Sequence, residues 1–125
     1  MIAGYFERVK KRIARLSWLI EREVVETEYD EDADSGLIGG NITFKDGSCL
    51  YFKEVLFSQT REYRFHYMDR KQNLILRWDS APHHKKIKTF PYHVHTSKSV
   101  MPSKPLNLIE VLDQIERIIV EKIEK

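Results

Sequence analysis

Apolar side chains recur at steps of three and four at the start of the chain: Ile2, Phe6, Val9, Ile13, Leu16 and Ile20. That period predicts an amphipathic helix of about four turns, with Arg8, Lys11, Arg12 and Arg15 on its outer face. From Glu21 the period becomes two. Val25, Thr27 and Tyr29 alternate with Glu26 and Glu28, the pattern of a half-exposed strand. The polar run Asp30–Gly36 predicts a turn, Ile38, Ile42 and Phe44 a second strand, and Lys45-Asp46-Gly47-Ser48 a hairpin of two or three loop residues. A third strand runs from Leu50 to Phe57. Its Leu50-Tyr51-Phe52 start is apolar on both faces, which predicts cover on both sides of the sheet and leaves room for a homodimer or another protein.

Two further strands form the next hairpin. Tyr63, Phe65 and Tyr67 alternate with Arg64, His66 and Met68, and Leu74, Leu76 and Trp78 alternate with Ile75, Arg77 and Asp79. A turn centred on Arg70-Lys71 sets Tyr67 opposite Leu74, Phe65 opposite Leu76 and Tyr63 opposite Trp78. The same register opposes Arg64 to Arg77 and His66 to Ile75, on a polar face shared with Asp79. Two facing arginines repel by about 0.2–1 kcal/mol unless an anion lies between them. Pro82 ends the fifth strand, Phe90–His95 reads as a short edge strand, and residues 97–105 read as a linker. Asn107, with Glu110 three residues on, predicts a capped helix whose buried stripe is Leu108, Leu112, Ile115, Ile119 and Ile123. The expected fold is α+β: an N-terminal helix, an antiparallel meander of about five strands and a C-terminal helix, in one domain over residues 1–125.

Composition narrows the setting. No apolar run approaches the roughly 20 residues that span a bilayer, the start of the chain has no charged-then-apolar leader, and the single cysteine, Cys49, predicts a reducing compartment, the cytoplasm. A net charge of +2 hides segregation. Residues 61–104 hold ten lysines and arginines against three acids, and residues 21–60 hold three against ten. The basic half suits a polyanionic partner, provided the segregation survives folding.

The chemistry concentrates in one stretch. Four of the five histidines, His83, His84, His93 and His95, fall within thirteen residues, joined by a segment carrying Lys85, Lys86 and Lys88. Imidazole exchanges protons near pH 7 and fixed cations hold phosphate. Cutting RNA without a metal requires a base for the ribose 2′-hydroxyl, an acid for the departing 5′-oxygen and a cation at the phosphorane. The expected roles are His83 or His84 with His93 or His95 as the acid–base pair, Asp79 as the orienting carboxylate and Arg77 or Arg64 as the phosphate clamp. His66, Lys85, Lys86 and Lys88 would add phosphate or RNA contacts. That mechanism uses no cofactor and no metal ion. Two other readings compete: a metal-dependent nuclease with ligands among Asp79, His83, His84, His93 and His95, and a non-catalytic module binding nucleic acid or protein. Structural roles compete as well, an Asp79–Arg77 pair and core anchoring by Phe90 and Tyr92 among them. Arg77 followed by five residues and His83 meets the spacing of all-helical HEPN ribonucleases, but it runs off a strand and contains Pro82, so that family is rejected. There is no glycine-rich phosphate loop, nucleophile elbow or dinucleotide fingerprint.

The segments Tyr63–Asp69, Leu74–His84 and Thr89–His95, with Asp-x-Ala-Pro-His-His at 79–84 and Phe-Pro-x-His-x-His at 90–95, resemble the TumE family of type II toxin–antitoxin toxins. The order of the flanking helices, acidic strand region and Asp-Gly hairpin is similar too, so the likeness covers nearly the whole chain. The resemblance implies a toxin silenced by a cognate helix-turn-helix antitoxin. RNA cleavage is the common outcome for small toxins and enters by analogy.

Overall fold

The computed structural model describes residues 1–58, 60–81 and 90–124. They form α1 (Ile2–Arg15), β1 (Ile20–Asp30), β2 (Ser35–Phe44), β3 (Cys49–Leu56), β4 (Arg61–Met68), β5 (Leu74–Asp79), β6 (His93–His95), β7 (Val100–Pro102) and α2 (Leu108–Glu124). The strands make one antiparallel meander in sequence order. The α+β class is as expected, with seven strands rather than about five. Residues 100–102, expected in a linker, pair with β6 as an edge strand, and Pro102 closes it where no further ladder bond is needed.

Alternation sends one set of side chains inward from each strand. Ile38, Ile42 and Phe44 meet Leu50 and Phe52, then Tyr63, Phe65 and Tyr67, then Trp78, against the stripes of both helices. Each fully buried Leu, Ile or Phe contributes about 1.5–3 kcal/mol. In α1 the buried face is Ile2, Tyr5, Phe6, Val9 and Ile13. The helix ends at Arg15, and Leu16 and Leu19 enter the core from the turn after it. Arg12, expected outside, instead reaches α2, donating to Asp113 at 2.8 Å and to Glu116. Asn107 and Glu110 exchange the two capping-box bonds, at 3.1 and 2.9 Å. Ile123, expected in the stripe, is exposed.

The two hairpins share a three-residue loop. At 45–47 the Gly47 N–H bonds Phe44 O, and Gly47 takes φ 90°. At 70–72 the Gln72 N–H bonds Asp69 O, and Gln72 takes φ 67°. The extra loop residue, with a bulge between Tyr67 and Met68, moves β5 by two places from the expected register. Phe65 therefore opposes Trp78, His66 opposes Arg77 and Arg64 opposes Asp79. The expected Arg64–Arg77 opposition is replaced by an arginine facing a carboxylate. Two-place slippage preserves the faces, so the polar side chains stay together.

At Tyr51, where cover was expected, the other face of the sheet is open: Tyr51 is 50% exposed, while its neighbours Leu50 and Phe52 are buried on the helix side; at the β5–β6 end the same face buries Asp79 and His93. Among the described residues no helix is long and apolar enough to cross a membrane.

Candidate functional site on the open sheet face

Register assembles the site. Cross-strand partners run in a row through Val24, Asn41, Tyr51, His66, Arg77, His95 and Val100. A second row runs through Glu26, Gly39, Lys53, Arg64, Asp79, His93 and Pro102. Adjacent strands lie about 4.8 Å apart, so Arg77 stands one strand from each of His66 and His95. Residues distant in sequence thus meet on one surface.

Asp79 is the hub. It is 4% exposed, and its Oδ1 accepts from the Ala81 N–H at 3.0 Å and lies 2.7 Å from His93 Nε2. Its Oδ2 lies 3.5 Å from Arg77 Nε and 3.7 Å from His95 Nε2. His93, 2% exposed, has its Nδ1 2.9 Å from Pro91 O. Both ring nitrogens of His93 therefore lie within hydrogen-bond distance of an oxygen. His93, expected as one of the acid–base pair, is thus buried and held by contacts on both ring nitrogens. His95 packs edge-on against it, ring centroids 4.8 Å apart, and is the more exposed of the two.

Arg77 Nε is buried and, among the described residues, makes no hydrogen bond. Its distance to Asp79 is that of a loose ion pair, leaving a donor without an acceptor. His66 lies half-buried opposite it. Desolvation, then the positive charges of Arg77 and Arg64, hold the His66 pKa below 6.5, favouring the neutral ring. Next to Arg64 is an open depression of about 370 Å³ lined by Lys53, Val55, Glu62, Tyr63, Arg64, Ser80 and Ala81.

Six expected site residues, Arg64, His66, Arg77, Asp79, His93 and His95, thus share this face. His83, His84, Lys85, Lys86 and Lys88, with Pro82 as the strand terminator, lie outside the described residues. Tyr92 stacks on Tyr63 at 6.1 Å, the anchoring role expected of it, whereas Phe90 is exposed. Asp79, His93 and His95 could also hold a metal ion: their ligand atoms lie within 4.8 Å of one another, and a carboxylate with two imidazoles suits a divalent transition metal. Arg77 competes with such an ion for Asp79 Oδ2.

Sequence reasoning missed a second polar cluster, on the helix side. Glu54 is fully buried, accepts from Arg61 Nη1 at 2.7 Å and from the Tyr5 hydroxyl, and that hydroxyl accepts from the Leu108 N–H at 3.0 Å. The signal was available: Glu54 follows Leu50 and Phe52 at a period of two, on the inward face. Burial pushes the Glu54 carboxyl above its ordinary value, against the pull of Tyr5 and Arg61. The cluster ties α1, β3, β4 and the start of α2 together.

No curated protein and no solved structure matches the chain. Residues 9–123 match the family model described as Toxin TumE, a span that takes in all seven strands, the second half of α1 and nearly all of α2. The chain belongs to the TumE toxin family.

Proposed function

We propose that this toxin is a metal-independent endoribonuclease that acts on the open sheet face. The observation that carries the reading is the row His66–Arg77–His95, in which two imidazoles flank a guanidinium whose Nε, among the described residues, makes no hydrogen bond and only a loose 3.5 Å ion pair with Asp79. A phosphodiester held by Arg77 lies between the two rings; the guanidinium fork suits that anion. His66, kept neutral by its surroundings, takes the proton of the 2′-hydroxyl as O2′ attacks phosphorus. The bond from phosphorus to O5′ breaks, and His95 gives its proton to that oxygen. The products are a 2′,3′-cyclic phosphate and a free 5′-hydroxyl. Asp79 and His93 hold Arg77 and His95 in place, and His83, His84, Lys85, Lys86 and Lys88 supply further contacts or proton-transfer groups.

The test is incubation with mixed-sequence RNA, with and without chelator, followed by end-group analysis. Chelator-resistant products ending in cyclic phosphate support the reading. Chelator-sensitive cleavage favours a metal ion on Asp79, His93 and His95, and retarded but intact RNA favours a binding module without catalysis. A toxin of this family has an antitoxin partner; we propose a helix-turn-helix protein in that role, encoded beside it, and action in the cytoplasm.

A further inference from the structure

We propose that the open sheet face takes single-stranded RNA and seats one unstacked base on the ring of Tyr51. This rests on the reading of that face as the RNA-cutting site and names the form of its substrate. Tyr51 stands directly opposite His66, one strand further from Arg77, and half of its surface is exposed although it sits in the middle of a seven-stranded sheet. Asn41 is its partner on the other side. A base stacked there lies about two strand spacings from the phosphate at Arg77, within the reach of one nucleotide.

A second observation supplies the backbone path. Lys53 and Arg64 are direct cross-strand partners beside Tyr51 and His66. Like charges so placed repel unless an anion lies between them. The carboxylate next to Arg64, Asp79, is buried and engaged with Ala81 and His93. The depression lined by Lys53, Arg64, Ser80 and Ala81, and also by Glu62, is open to a neighbouring phosphate on the Lys53–Arg64 pair. Stacking requires a base free of its duplex partner, because paired bases in an A-form helix present no face to a side chain.

The test uses the full chain carrying His95→Ala, so that RNA stays intact, and a short labelled mixed-sequence RNA followed by fluorescence anisotropy. Tyr51→Ala is expected to weaken binding about 5- to 150-fold, Tyr51→Phe to bind nearly as the parent does, and duplex RNA of the same sequence to bind more weakly than the single strand. Circular dichroism checks that each variant is folded. Unchanged affinity in Tyr51→Ala, or equal affinity for duplex and single strand, overturns the proposal. Tyr51-dependent binding by a protein whose His95-bearing form leaves RNA uncut supports the stacking site and removes the cleavage reading. Cleavage indifferent to Tyr51→Ala does the reverse.

Discussion

Replacing Asp79 by alanine removes the carboxylate on which the site is built. Four groups lose a partner: the Ala81 N–H at 3.0 Å, His93 Nε2 at 2.7 Å, the looser Arg77 guanidinium at 3.5 Å and His95 Nε2 at 3.7 Å. Breaking a buried pair by deleting one member costs about 3–5 kcal/mol. The low end applies here, because His93 keeps its contact with Pro91 O. Asp79→Asn retains an oxygen for both Ala81 and His93 and is expected to cost about 1 kcal/mol, the scale of one hydrogen bond. A domain of this size is stable by about 5–15 kcal/mol and has a urea slope near 2 kcal/mol/M. The urea midpoint of Asp79→Ala should therefore fall by about 1.5 M, and that of Asp79→Asn by about 0.5 M. An Asp79→Ala midpoint within about 0.25 M of the parent, at unchanged slope, would refute the view that this carboxylate organises the buried end of the sheet.

Gly40→Ala should lower the melting temperature sharply, because Gly40 has φ 154° and an added Cβ would sit 1.9 Å from Val24 O on the paired strand; a melt within a degree or two of the parent contradicts this. Asn107→Ala removes the acceptor for the Glu110 N–H at the start of α2 and should cost about 1 kcal/mol in urea unfolding, with Asn107→Asp close to neutral. Glu54 gives a pH signature: its folded pKa lies above the ordinary 4.5, so the stability it contributes is complete below that pH and declines as pH rises through the folded value. Glu54→Gln should remove that decline, and a parent-minus-variant difference that is flat with pH would show that burial does not govern this carboxyl.

Period and capping residues made the elements legible in the sequence. The three-and-four stripe of α1, the Asn107–Glu110 box and the alternation of β4 and β5 all depend on local chemistry. Pairing details were not legible in the same way. The third loop residue, Gln72, is not a glycine, and the bulge at Tyr67–Met68 has no residue that announces it, so the register came out two places off. Because the error was even, the face assignment survived, and with it the grouping of Arg64, His66, Arg77 and Asp79. His93 and His95 were expected to project from one side of an extended segment, and they do. The difference between them, one buried and the other nearer solvent, depends on packing that spacing alone does not encode. Val100–Pro102 is too short to show a period, so β7 read as linker.

The pH dependence of kcat/KM for cleavage of single-stranded RNA in chelator tests the central claim most directly, with the parent compared with His66→Ala and His95→Ala. The groups facing His66 are Arg77 and Arg64, with Tyr51 and Lys53 on the adjacent strand. The account expects a bell whose acid limb falls below pH 6.5, because desolvation and the arginines hold His66 neutral. His66→Ala should lose that limb and about 10²–10⁴-fold in rate, and His95→Ala should lose the alkaline limb with a comparable loss. Cleavage that vanishes in chelator, or a profile that keeps both limbs in the two variants, would contradict it.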